Sequence, residues 1–117
     1  MNCQGMHLIA DLYGCQGLDD ADLVEVALRD ASIAIGATLV GLHLHRFGEG
    51  QGVTGVAMLA ESHISIHTWP EHDYAAIDMF VCGEGHDLDA GLRVMTDRFH
   101  AAREDIKRLA RGTETSL

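Results

Sequence analysis

Apolar and polar positions alternate, break off and resume several times along the chain, and each change of period marks an element. His7 to Tyr13 is a short, apolar-rich run stopped by Gly14, the signature of a strand. From Asp19 to Ile35 the period changes: Leu23, Val24, Ala27, Leu28, Ala31 and Ile35 recur at helical spacing. Asp19 or Asp20 can cap that helix and Gly36 can end it. Residues 37–47 return to alternation, with Val40, Leu42 and Leu44 on one side and His43, His45 and Phe47 on the other. The Gly-rich segment 48–52 is a loop. Strands are predicted over Val53–Ala60 and Ile64–Thr68, with the sole proline, Pro70, in the turn that follows. Tyr74–Cys82 is again two-faced: Ala75, Ile77, Met79 and Val81 oppose Tyr74, Asp78, Phe80 and Cys82. Leu88–Ala101 is a second helix with Leu88, Leu92, Met95 and Phe99 on one stripe; 103–111 is a weaker last strand, and 112–117 a frayed end.

The order strand, helix, several strands, helix, strand predicts an α+β fold: a two-layer sandwich, an antiparallel sheet with both helices packed on one face. The aliphatic side of each strand would meet the helices. The other side collects His, Cys, Phe and Ser, which makes it a subunit interface, a reaction site, or both.

The 117 residues fit one domain, spanning 1–117, with a thin core that is compatible with a stable oligomer. A formal net charge of −10 argues against nucleic acid as partner, because phosphate contacts need clustered Lys and Arg, and against an anionic membrane surface. Cys3, Cys15 and Cys82 form no CxxC pair, so free thiols in a reducing compartment are expected rather than disulfides or a thiolate zinc site. The N-terminal residues lack a basic segment followed by a long apolar run, and no apolar stretch approaches the ~20 residues of a membrane span. A cytoplasmic protein is expected.

Chemistry-bearing side chains are densest in Glu61-Ser-His-Ile-Ser-Ile-His-Thr-Trp-Pro-Glu71. Alternation places His63, Ser65 and His67 on one side of a strand. A serine near a histidine can be a nucleophile and its base, although no GxSxG elbow surrounds Ser62. The alternative of a metal would draw on His43, His45, His63, His67 and His72, but no HExxH motif or Cys cluster supports it, and no metal is expected. His43 and His45 read as polar members of a half-exposed or interface strand.

Three segments together resemble one family. The run Ala60–Glu71, the run Tyr74–Gly83 (YAAIDMFVCG) and the run Gly5–Cys15 (GMHLIADLYGC) are similar in order and spacing to the motifs of prokaryotic S-adenosylmethionine decarboxylase proenzymes, and the likeness extends from about Gly5 to Gly112. This resemblance implies a pyruvoyl-dependent enzyme that cleaves its own backbone between Glu61 and Ser62, giving a 1–61 β chain and a 62–117 α chain. Ser62 would attack the preceding carbonyl to form an ester, a proximity effect. Elimination would leave a pyruvoyl group on the new N-terminus, able to form a Schiff base with the substrate amine as an electron sink. By the same resemblance His67 is the proton acceptor in processing and Cys82 the proton donor after CO2 leaves; an ordinary thiol, pKa ~8.5, is protonated enough at neutral pH to act as an acid. The family's second processing hydroxyl, usually a serine, falls on Thr54, whose extra methyl restricts its rotamers.

For the substrate, the resemblance implies that Phe47 and His67 flank the adenine of S-adenosylmethionine and that Glu71 holds the ribose hydroxyls. The product would be S-adenosylmethioninamine for spermidine and other polyamines. A homodimer of processed two-chain protomers is implied as well. Two alternatives stand beside this reading. One is a pyruvoyl-dependent arginine or ornithine decarboxylase, which would have no use for a ribose anchor. The other is an unprocessed, non-catalytic paralogue acting as a binding or regulatory subunit.

Overall fold

The computed structural model describes residues 5–82 and 85–113; Cys3, Gly83 and the end of the chain from 114 lie outside the described residues. Strands β1 (Gly5–Tyr13), β2 (Leu39–Arg46), β3 (Val53–Leu59), β4 (Ser62–Trp69), β5 (Tyr74–Cys82) and β6 (Arg103–Arg111) form one sheet in the order β2-β3-β4-β5-β1-β6, with every pairing antiparallel. Helices α1 (Ala21–Ile35) and α2 (Leu88–Arg98) cover one face. The expected two-layer α+β sandwich is the observed one.

Both helices begin where a carboxylate satisfies an orphan N–H. Asp20 accepts from the Leu23 N–H at 3.1 Å, and Asp87 from the Ala90 N–H at 3.0 Å. Gly36 ends α1 in the left-handed conformation, φ 85°, which costs glycine little. Helix α2 stops at Arg98, three residues before the sequence-based boundary, with Phe99 as cap and His100 at φ 50°.

The core lies between the helices and the buried side of the strands. Leu8, Ala10 and Leu12 of β1, Ile64 and Ile66 of β4, and Ala75, Ile77, Met79 and Val81 of β5 meet Val24, Leu28 and Ile35 of α1 and Leu92 and Met95 of α2, all buried. Gly55 lets α1 approach the sheet: a Cβ there would come within 2.9 Å of Leu28.

One facing assignment fails. Val40 does not join Leu42 and Leu44 but is 65% exposed, because the β2–β3 register shifts between Leu39 and Gly41. A bulge inserts one residue and so moves each side chain before it to the opposite face. Leu39, Leu42 and Leu44 pack on the core instead.

Among the described residues, no helix covers the second face of the sheet. Register places in successive rows His43–Val56–Ser65–Asp78–Ile9 and His45–Thr54–His67–Ala76–Asp11, with His63, Phe80 and His7 in a third. Ile9, Met58, Trp69 and Leu109 add exposed apolar surface to it.

Candidate active site

The β3–β4 connection is a two-residue hairpin loop, Ala60-Glu61, closed by the pair Leu59 and Ser62. Such loops favour residues able to take positive φ, and neither loop residue is glycine. The distortion falls on Ser62, at φ 153°, a sparsely populated backbone region for an L-residue.

Glu61 is pinned at both ends. Its carboxylate accepts the Thr38 N–H at 3.0 Å, which holds it below the usual carboxylate range with help from nearby His86. Its carbonyl oxygen accepts two donors from the last residue of β5: the Cys82 N–H at 3.0 Å and the Cys82 thiol at 2.8 Å. The Ser62 hydroxyl, on the next residue, lies 3.3 Å from Nδ1 of His63.

A polar network extends from that hydroxyl along the uncovered face. His63 Nε2 donates to Asp78 Oδ2 at 3.1 Å, and His7 Nε2 donates to the same oxygen at 2.8 Å. The Ser65 hydroxyl donates to Asp78 Oδ1. Burial opposes ionisation of Asp78, but the hydrogen bonds from Ser65, His7 and His63 outweigh it and hold the carboxyl below its ordinary value. Phe80 packs against both imidazoles, its ring centre 5.4 Å from His7 and 6.3 Å from His63.

A second cluster occupies the far end of β4. Thr54 Oγ1 meets His67 Nδ1 at 3.1 Å, so the threonine hydroxyl reaches the histidine despite its added methyl. Phe47, 62% exposed, borders an open hollow with Arg46, Gly48 and Glu49. The rings of Trp69, Tyr74 and Tyr13 stack in series, with centres 5.2 and 5.4 Å apart. Glu71 follows in the short 3-10 turn Pro70–His72, exposed.

Of the residues singled out from the sequence, Glu61, Ser62 and Cys82 therefore come together, and Thr54 and His67 come together. The two groups do not meet within one chain: His67 is five residues along β4 from Ser62, about 16 Å at ~3.3 Å per residue. Phe47 and Glu71 lie at the His67 end. Asp78, legible in the sequence only as a member of the polar side of its strand, proves to be the hub of the network. His7 was legible only as a strand residue, since its partner is 71 positions away. Among the described residues, no three of His, Cys, Asp and Glu converge as metal ligands, and no helix is long and apolar enough to cross a membrane.

An antiparallel sheet with both helices on one face is also the fold of a solved decarboxylase. The family model for S-adenosylmethionine decarboxylase matches residues 6–112. The S-adenosylmethionine decarboxylase proenzyme of Thermomicrobium roseum is 45% identical over 112 residues, covering 96% of this chain and 97% of its own. That of Methanococcus aeolicus is 49% identical over 111 residues, covering 93% and 94%. The crystal structure of the adenosylmethionine decarboxylase from Aquifex aeolicus superposes with a TM-score of 0.90 at 32% identity, over 100% of this chain and 98% of that one. The chain belongs to the S-adenosylmethionine decarboxylase family.

Proposed function

We propose that this chain is the proenzyme of an S-adenosylmethionine decarboxylase. It cleaves itself between Glu61 and Ser62 into residues 1–61 and 62–117, converts Ser62 to a pyruvoyl group, and then releases CO2 from S-adenosylmethionine to supply S-adenosylmethioninamine for polyamine synthesis. The observation that carries this reading is the convergence of the Cys82 N–H and thiol on the Glu61 carbonyl oxygen, beside the Ser62 hydroxyl. Attack by that hydroxyl turns the carbonyl oxygen into an oxyanion, and two fixed donors at 3.0 and 2.8 Å are placed to stabilise it. Nucleophile and carbonyl are neighbours in one chain, so no association entropy is lost. The backbone strain at Ser62, of the order of 1–3 kcal/mol for such a conformation, is released when the peptide bond opens.

The pyruvoyl group supplies a carbonyl that binds the substrate amine and withdraws the electron pair left by CO2. Cys82 has a second use here: its exposed thiol borders residue 62 and can return a proton to the substrate α-carbon. Phe47 and His67 supply faces for the adenine, and Glu71 acceptors for the ribose hydroxyls. Their collection at one end of the sheet favours a nucleoside substrate over arginine or ornithine, which need no such anchor.

The division into two clusters supports a homodimer. A protomer cannot bring its own His67 to its own Ser62, but a second copy laid face to face on the uncovered side can bring the Thr54–His67 end of one chain over the Ser62–Cys82 end of the other. The apolar residues exposed on that face would be buried by the same contact.

Intact mass spectrometry of freshly purified protein beside Ser62→Ala, followed by CO2 release from S-adenosylmethionine, tests the reading. Two fragments meeting at 61/62, a blocked N-terminus on the second, and an uncut variant are expected. A single uncut wild-type chain would leave the non-catalytic paralogue; release of CO2 from arginine or ornithine alone would leave the other decarboxylase.

A further inference from the structure

We infer that His63 is the base of the self-cleavage reaction, and that Asp78 positions it by fixing its tautomer. The inference rests on the self-cleavage reading above and adds a residue and a step to it.

The argument begins at Asp78. An ionised carboxylate only accepts hydrogen bonds. Both imidazoles that reach its Oδ2 do so through Nε2, so each must carry its proton there. For His7 this is confirmed from the far side of the ring, where the Arg111 guanidinium donates to Nδ1 at 3.1 Å and so requires a lone pair on it. For His63, a proton on Nε2 leaves the lone pair on Nδ1, the atom 3.3 Å from the Ser62 hydroxyl. The hydroxyl therefore donates to an acceptor able to take its proton. Asp78, His63 and Ser62 form an acid-imidazole-hydroxyl chain in which the carboxylate orients the ring and stabilises the imidazolium as it forms.

The groups facing His63 are Asp78 and Phe80 from β5 and His7 from β1, with Arg111 of β6 behind His7. Asp78 is therefore the one anion against the ring among these. His67 cannot do this work within the same chain, for its Nδ1 is engaged by Thr54 at the opposite end of β4.

The step balances without any added reagent. The Ser62 Oγ forms a bond to the Glu61 carbonyl carbon and gives its proton to His63 Nδ1. The carbon–nitrogen bond then breaks, and His63 returns the proton to the freed Ser62 nitrogen. The product is an ester between Glu61 and the Ser62 side chain, with His63 again neutral. Loss of the ester by elimination is a later step that needs a different proton acceptor, the role the family likeness gives to His67.

The two steps can be separated chemically, because neutral hydroxylamine cleaves an ester and leaves an amide. His63→Ala and His63→Gln precursors, made by cell-free synthesis, are followed by intact mass with and without hydroxylamine. Loss of a general base slows a step by ~10²–10⁴-fold, so both variants are expected to remain uncut and hydroxylamine-resistant for at least ~100 times the wild-type half-time. Added imidazole should restore cleavage in the alanine variant. Asp78→Asn should slow the same step, yet add nothing further in the His63→Ala background; a merely structural role would add its own effect there. Cleavage of either His63 variant within about threefold of wild type would overturn the inference. So would a hydroxylamine-sensitive ester in them, or failure of imidazole to restore a variant that keeps its circular dichroism and thermal midpoint. A wild-type chain that never cleaves would overturn the self-cleavage reading and this inference together, an outcome distinct from the others.

Discussion

Replacing Cys82 by alanine removes one of the two donors at the Glu61 carbonyl and leaves the other in place. The surviving donor is the backbone N–H of residue 82, held at 3.0 Å by the strand rather than by its side chain. Deleting one oxyanion donor costs ~10²–10³ in rate where the donor is a strong amide. A thiol is a weaker donor, so self-cleavage of Cys82→Ala should fall by ~10–100-fold. Cys82→Ser should fall between the two, because a hydroxyl donates better than a thiol but reaches less far from the backbone. The side chain is exposed and takes no part in the core, so both variants should fold with an unchanged thermal midpoint. The assay is intact mass against time on precursor from a short pulse of cell-free synthesis, with CO2 release measured on material allowed to finish cleaving. Cleavage of the alanine variant at the wild-type rate would refute the oxyanion argument. If CO2 release were lost in that variant all the same, the thiol would be confined to the decarboxylation.

Three other outcomes are expected. Thr68→Val removes a buried hydroxyl that accepts the Val53 N–H at 2.8 Å and donates to the Leu18 carbonyl at 2.8 Å, leaving a buried donor unpaired. Measured by urea unfolding in an uncut Ser62→Ala background, the loss should be ~1–3 kcal/mol, and a change below ~0.5 kcal/mol would refute the account. Co-folding Ser62→Ala with His67→Ala chains should restore cleavage of the His67→Ala chain if the two clusters meet across a dimer; no cleavage in the mixture would mean that each chain processes alone. Burial, with Asp73 nearby, pushes the Cys15 thiol up to about 11, which leaves only about one part in a thousand as thiolate at pH 8. Iodoacetamide at pH 8 should therefore label the exposed Cys82 while sparing Cys15, whose labelling should rise only as pH approaches 11; early modification of Cys15, mapped by peptide mass, would contradict this.

The elements and the layering were legible in the sequence alone, because both are carried by short-range periodicity. Val24, Ala27, Leu28 and Ile35 mark one helical stripe, and Ala75, Ile77, Met79 and Val81 one strand face, whatever surrounds them. The sequence also carried the family, since three motifs agree in order and spacing. Val40 escaped that logic, because a bulge depends on how β2 pairs with β3, and pairing is not written in either strand alone. The site divides in the same way. Ser62 and Cys82 were named from motifs, but only the β4–β5 register sets Cys82 opposite Glu61 and aims both of its donors at that carbonyl. Only the joining of β1, β4 and β5 side by side brings His7, His63 and Ser65 onto one carboxylate of Asp78. The strain at Ser62 is likewise a property of the closed hairpin and not of a serine. Local periodicity decides what a residue faces; which distant residue faces it back is decided by strand order and register, and the proposed chemistry of this chain depends on the second.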